Sequence, residues 1–266
     1  MFIWRKIMIW GRNILIALFA SSILAVFMFK YVPVYFTPLM FIRLVEQFHD
    51  GKSLKLEHKW VPMEKIAQPL AQAVIASEDN LFMEHHGFDL NQIEKARSEA
   101  ESGKRVRGAS TISQQTVKNV FLWPGKSYVR KGIEAYFTVL VEFMWGKKRI
   151  MEVYLNSIEM GEGIYGAEAV AYAHFGKAAY QLNRRQAALI AASLPNPRRF
   201  DSSKPSPYMV RRQAKIMSIM SKLIQVKMGY GSENIDDDIN SGKMKARKKW
   251  RASLITTSDA STIQRL

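Results

Sequence analysis

Beyond about Leu56, apolar positions recur mostly at helical spacing. Ile66, Leu70, Val74 and Ile75 share one helix face, and Ile133, Phe137, Leu140, Val141 and Met144 share another over about Ser127–Gly146. Polar punctuation marks where helices begin. Asp89 followed by Gln92 opens a helix over Leu90–Ala100, Thr111 with Gln114 opens one carrying Val117, Val120 and Phe121, and Asn183 with Gln186 opens an alanine-rich one. Further helices are expected over about Lys148–Asn156 and Pro207–Lys227. Pro124-Gly125 and Leu194-Pro195-Asn196-Pro197 are breaks, and Gly161, Gly163 and Gly166 read as an irregular turn. Alternation is weak and confined to Leu54-Lys55-Leu56, so any sheet is minor and the chain is mostly α.

The N-terminal pattern is different. Asn13 to Phe29 carries no charge, with Arg5, Lys6 and Arg12 before it and Lys30 after it. About 17 apolar residues suit a short membrane span whose flanking cations snorkel outward. The basic flank places the N-terminus in the cytoplasm and the rest outside, at the cytoplasmic (inner) membrane. A signal peptide and a buried core helix pass the same test, although no good small-x-small cleavage site follows. Tyr31 to Ile42 is also uncharged, but Pro33 and Pro38 forbid a straight helix through it, leaving a packed linker or a segment at the membrane interface. The expected organisation is therefore a basic cytoplasmic segment (1–12), a transmembrane helix (13–30), a membrane-proximal linker (31–55), a mostly helical domain (56–228) and a basic, partly disordered tail (229–266).

Composition narrows the chemistry. The 266 residues carry 39 Lys plus Arg against 23 Asp plus Glu, a formal charge of +16, and no cysteine. Disulfides and thiolate zinc sites are excluded. A 48% hydrophobic content excludes a disordered basic protein. The charge calls for an anionic partner, and an external domain makes that lipid or a phosphorylated substrate rather than nucleic acid. The basic run Lys243 to Arg251 suits anionic lipid.

P-loop and HExxH patterns are missing, and His85-His86 are adjacent with no third ligand evident. The acyl-serine set of transpeptidases is also missing, so no transpeptidase activity is expected. Two carboxylates stand out. Glu78 sits where an apolar helix gives way to a polar loop, a position that suits a general base. Glu134 sits beside the cations Arg130 and Lys131. Between them in sequence lie Arg105, Arg107, Gly108, Ala109, Ser110, Thr111, Gln114, Gln115, Lys118 and Asn119, a basic, hydroxyl- and amide-rich stretch suited to phosphate and sugar. A helix cap is the simpler reading of Thr111 with Gln114.

These residues fall into motifs. The first is Glu78-Asp79-x-x-Phe82-x-x-His85-x-Gly87-x-Asp89, and the second Gly108-Ala109-Ser110-Thr111-Ile112-Ser113-Gln114-Gln115-x-x-Lys118-Asn119. The third is Arg130-Lys131-x-x-Glu134, and the fourth Lys147-Lys148-x-Ile150-x-Glu152-x-Tyr154-Leu155-Asn156. The fifth runs from Arg185 to Pro197. In this order, over about Lys59 to Met220, the chain resembles the peptidoglycan glycosyltransferases of glycosyltransferase family 51, in their monofunctional form.

That resemblance implies a lysozyme-like glycosyltransferase domain that polymerises lipid II. The growing chain on undecaprenyl pyrophosphate is the donor, and the GlcNAc 4-hydroxyl of lipid II is the acceptor. It implies that Glu78 is the base of an inverting displacement and Glu134 a second catalytic carboxylate, possible ligand of a divalent cation (Mg or Mn). No organic cofactor is expected. It implies that Lys118, Lys126, Arg130 and Lys131 serve the pyrophosphate, that Ser110, Thr111, Gln114 and Gln115 line the cleft, and that Asp79, Phe82, His85 and Asn119 give support. Glu152, Tyr154 and Asn156 are expected to be structural. Two positions depart from the family's pattern: Lys126 stands where Arg is usual and loses bidentate phosphate binding, and Gln186 stands where Glu is common. Partners on this reading are lipid II with the nascent glycan, membrane lipids, and cell-division or elongation proteins. Phe121, Leu122 and Trp123 either pack in the core or dip into the bilayer. The rival enzyme is a lytic transglycosylase, which has no pyrophosphate to bind; an inactive scaffold and a nucleic-acid binder are the rivals from other classes.

Overall fold

The structure is a computed structural model that describes residues 2–103, 108, 110–125, 127–223 and 228, with side chains from Trp4 onward. In chain order its elements are α1 (Phe2–Tyr31), α2 (Pro38–His49), β1 (Glu57–His58), α3 (Gln68–Glu78), α4 (Leu90–Glu101), α5 (Ile112–Phe121), α6 (Tyr128–Met144), α7 (Lys147–Ser157), β2 (Glu159–Gly161), β3 (Ile164–Tyr165), α8 (Ala167–Phe175), α9 (Arg184–Ser193) and α10 (Pro207–Lys222). The mostly helical class expected from periodicity is observed.

The caps explain why the helices begin where they do. Asp89 accepts from the Gln92 amide, Ser127 from that of Arg130 and Ser206 from that of Met209. Thr111 with Gln114, and Asn183 with Gln186, close full capping boxes.

Some expectations are corrected. The first helix starts at Phe2 rather than Asn13, because Arg5, Lys6 and Arg12 are compatible with helix even where they interrupt the apolar run. Its stretch Trp4–Tyr31 is long and apolar enough to cross a membrane. The linker contains a helix, α2, with Thr37 as cap and Pro38 in the first turn, where a proline needs no N–H partner. The glycine-rich turn is a small hairpin instead. β2 pairs antiparallel with β3 (Glu159↔Tyr165), and β1 pairs parallel with β3 (Glu57↔Ile164), giving the order β1-β3-β2. These strands are too short to show a period of two. α8 was not signalled by any apolar stripe, since its alanine-rich sequence is buried along most of its length.

The chain divides into two compact units, each made of separate segments. The first comprises Met1–Leu56 and Phe82–Ile158, the second Glu57–Leu81 and Glu159–Leu266. The boundary falls inside the first motif and inside the stretch 56–228.

In the first unit, α5 packs against α2, α6 and α7, and α6 packs against α1. Half-buried Phe121 stacks on Phe137 with centroids 4.8 Å apart, and Leu122 is buried in the core. Trp123 remains 49% exposed. In the second unit, α3, α9 and α10 pack pairwise. Ala71, Ala73 and Ala76 of α3 and Ala187, Ala188, Ala191 and Ala192 of α9 are buried, and their small side chains let the two backbones approach closely. That close approach is what carries the end of α3 to its neighbours.

Candidate functional site

Glu78 is the last residue of α3. The Asp79 amide closes the turn on the Ile75 carbonyl at 3.1 Å. Asn80, with its amide nitrogen turned toward the helix, donates to the carbonyls of Ile75 (3.1 Å) and Ala76 (3.0 Å), satisfying two of the four carbonyls in the last turn. The Glu78 side chain is part-buried. Ser77 Oγ donates to Glu78 Oε1 at 2.8 Å, and Arg212 of α10 brings Nη2 to 3.6 Å from the same oxygen. Asp79 is buried at 2% exposure, consistent with a structural task at the end of α3.

The remaining expected residues that the structure describes belong to the first unit. Phe82 is buried, and His85 Nδ1 accepts from the Gly87 amide at 3.1 Å. Lys147 holds this loop. Its Nζ donates to the His85 carbonyl at 2.7 Å, lies 4.7 Å from the Phe82 ring centroid, and pairs with Glu142 at 2.7 Å. Glu142 also accepts from Ser113 Oγ. Three helices thus meet the loop through one buried network. Gly87 has φ +94°, which L side chains disfavour, and a Cβ there would sit 2.8 Å from Thr138 Cγ2.

Thr111 and Gln114, expected to line the cleft, are both buried. Thr111 Oγ1 accepts from the Gln114 amide (3.2 Å) and donates to the Gly87 carbonyl (2.7 Å), and Gln114 Oε1 accepts from the Thr111 amide (3.0 Å). Their hydrogen-bonding capacity goes into starting α5 and fastening it to the 82–89 loop. Ser110 is exposed at the mouth of that helix, and Gln115 is half-buried, accepting from the Tyr154 hydroxyl at 3.2 Å. Lys118 is exposed on an α5 whose other residues are mostly buried. Its neighbour Asn119 is buried with Nδ2 unpartnered.

On α6, Glu134 is buried with a side-chain exposure of 3%. Its Oε2 accepts from Arg130 Nη1 at 2.9 Å, and its Oε1 accepts from Lys131 Nζ. The i,i+4 and i,i+3 spacings place both cations on its face of the helix. The two positive charges satisfy the desolvated carboxylate. The divalent cation expected at Glu134 does not fit this donor set. Both carboxylate oxygens are taken by cations, and among the described residues no group of three His, Asp or Glu gathers that could hold a metal ion. Lys126, with Arg105, Arg107, Ala109 and the basic run Lys243 to Arg251, lies outside the described residues.

Sequence reasoning missed Glu142 and Arg212. Glu142 sits on a helix face where spacing alone reads as surface, and Arg212 lies beyond the last motif. Neither carried a local signal.

A model of the transglycosylase family matches residues 45–221. The biosynthetic peptidoglycan transglycosylase of Bacteroides thetaiotaomicron is 58% identical over 217 residues, covering 82% of this chain and 88% of its own. Proteins of the same description from Caulobacter vibrioides and Bdellovibrio bacteriovorus are 54% and 48% identical, covering 77% and 83% of this chain and 89% and 88% of theirs.

Proposed function

The chain belongs to the transglycosylase family, and from that premise we propose that it polymerises lipid II into the glycan strands of peptidoglycan by inverting transfer. Peptidoglycan glycosyltransferase activity and a lysozyme-like fold follow from the family; the substrate, stereochemistry and residue roles are our reading. Glu78 removes the proton from the GlcNAc 4-hydroxyl of an incoming lipid II. That oxygen attacks the anomeric carbon of the donor MurNAc from the face opposite the pyrophosphate. The bond to undecaprenyl pyrophosphate breaks as the β-1,4 bond forms, so an α-linked lipid becomes a β-linked glycan without a covalent enzyme intermediate.

Charge builds on the departing pyrophosphate. Fixed cations aimed at it stabilise the transition state. Lys118, exposed on α5, and Lys131, half-exposed beside Glu134, are the cations suited to that load. Arg130 and Glu134 act chiefly by holding Lys131 in place. The observation that carries this reading is the Arg130–Glu134–Lys131 cluster, because an enzyme that only cuts glycan has no pyrophosphate for such cations to serve. The basic flank of α1 supports a single-pass inner-membrane anchor with the N-terminus in the cytoplasm and the catalytic part outside. Recruitment by cell-division or elongation proteins belongs to the same reading.

The test is direct. The purified full chain incubated with lipid II should yield glycan polymer and undecaprenyl pyrophosphate, and Glu78→Gln should yield neither. A lytic enzyme would instead shorten preformed strands and leave lipid II untouched. Failure of the wild type to polymerise, or equal polymerisation by the Gln variant, defeats the proposal.

A further inference from the structure

We infer that Arg212 is a positioning residue for Glu78, acting through the hydroxyl of Ser77; the inference rests on the reading of Glu78 as the base. Glu78 ends its helix, so no following turn of α3 packs against its side chain. Its orientation has to come from elsewhere. Arg212 lies on α10, which packs on both α3 and α9. Arg212 Nη2 donates to Ser77 Oγ at 2.9 Å. Ser77 Oγ has one proton and two acceptors within reach, Glu78 Oε1 at 2.8 Å and the Ala191 carbonyl at 3.2 Å.

The guanidinium occupies a lone pair of Oγ. The hydroxyl proton then goes to the nearer, charged oxygen. Arg212 adds direct attraction at 3.6 Å to that same Oε1. Oε1 is thereby held by one hydrogen bond and one ion pair of the same cluster. Arg212 Nε is buried with no hydrogen-bond partner. The guanidinium keeps its orientation toward Ser77 and Glu78 although this group stays unmade at a cost to stability.

A positioning role predicts a loss of turnover without a loss of substrate binding. The full chain, assayed with lipid II, should show kcat for Arg212→Ala lower by about 100-fold, the scale on which a misplacement of about 1 Å acts. KM should stay within about twofold, since only an interaction made in the transition state is lost. Arg212→Lys should recover part of the loss, and sub-denaturing guanidinium should partly rescue Arg212→Ala. Ser77→Ala should lower kcat as well, and the double variant should be little worse than Arg212→Ala alone, because the two act as one unit. Arg211→Ala, exposed on the same helix, should behave as wild type.

Thermal unfolding of each variant separates misfolding from misplacement. Should Arg212→Ala fail to fold, the Lys and Ser77→Ala variants carry the same kcat-against-KM test. Wild-type kcat in Arg212→Ala or, if it does not fold, in both stand-ins overturns the inference, and so does a loss confined to KM. If Glu78→Gln polymerises as well as wild type, the reading of Glu78 fails and this inference with it. If Glu78→Gln is inactive while Arg212→Ala keeps its kcat, only the inference fails.

Discussion

Arg149 of α7 donates through Nη2 to the carbonyl oxygen of Phe29 at 2.8 Å, closing the last turn of the apolar helix α1. The same nitrogen reaches the Val32 carbonyl at 2.7 Å, and Nη1 pairs with Glu152 at 2.6 Å. A cation at a helix C-terminus satisfies orphan carbonyls and complements the helix dipole. Trp145 Nε1 adds a bond to the Val26 carbonyl at 2.9 Å, and the Ser22 and Tyr136 hydroxyls meet at 2.7 Å. The apolar helix is thus docked on its unit rather than tethered to it. Arg149→Ala should destabilise the detergent-solubilised protein by about 1.5–3 kcal/mol, the usual worth of hydrogen bonds from a charged donor. Arg149→Lys should fall between, having lost the fork. A thermal midpoint unmoved by the alanine change would refute the docking role.

Arg130→Ala leaves Glu134 buried with Lys131 alone. Removing one partner of a buried pair costs about 3–5 kcal/mol, and the remaining lysine should hold the loss to the lower end. Glu134→Gln leaves buried Arg130 and the neighbouring Lys131 without their shared counter-ion, so it should unfold at a lower temperature than Arg130→Ala. The reverse order of thermal midpoints would show that the cluster is not held by its ion pairs.

Gly87 and Gly132 should respond oppositely to alanine. At Gly87 the backbone is left-handed and the new Cβ would meet Thr138 and Glu142. Strain and overpacking, each about 1–3 kcal/mol, should together destabilise the unit. Gly132 lies inside α6 with nothing within 4 Å of an added Cβ, so alanine should stabilise by about 0.5–1 kcal/mol. Equal shifts in the unfolding midpoint would contradict both readings.

Acid should weaken one surface cluster. Burial pushes the Asp201 carboxyl up, but the Ser203 hydroxyl and amide, the His174 ring and the Lys204 amide outweigh it and hold it below its ordinary 3.8. A carboxyl lowered on folding stabilises the protein above its unfolded pKa and loses that effect as pH falls through the folded value. Asp201→Asn should therefore be less stable than wild type at neutral pH, and the gap should narrow as pH falls below the ordinary 3.8 and through the lower folded value. A gap of constant size across acid titration would show that the carboxylate's charge contributes nothing.

Much of the architecture is legible because helix starts are local events. Thr111 with Gln114, Asn183 with Gln186 and Asp89 with Gln92 each lie within one turn, so the residues that set the boundary also announce it. The Thr37-Pro38 start of α2 was equally local, yet the two prolines masked it, because Pro38 breaks a helix only from the inside. The β2–β3 hairpin had no comparable signal, since strands of two or three residues show no alternation. The candidate site divides in the same way. Glu134 between Arg130 and Lys131 is readable, because neighbours at i−4 and i−3 on a helix must share a face. The burial of Thr111 and Gln114 is not, because a hydroxyl and an amide look the same in sequence whether they face a sugar or cap a backbone.

By itself, then, the sequence determined the apolar N-terminal helix, the helical class, the start of most helices and the carboxylate and cations of the chemistry, all through interactions spanning four residues or fewer. The tertiary structure decided which distant groups complete them: Arg149 on Phe29, Lys147 on His85 and Arg212 on Ser77. Those contacts depend on where packed helices bring their ends, and in the second unit on how closely the alanines of α3 and α9 let two backbones approach. No spacing along a chain encodes that distance.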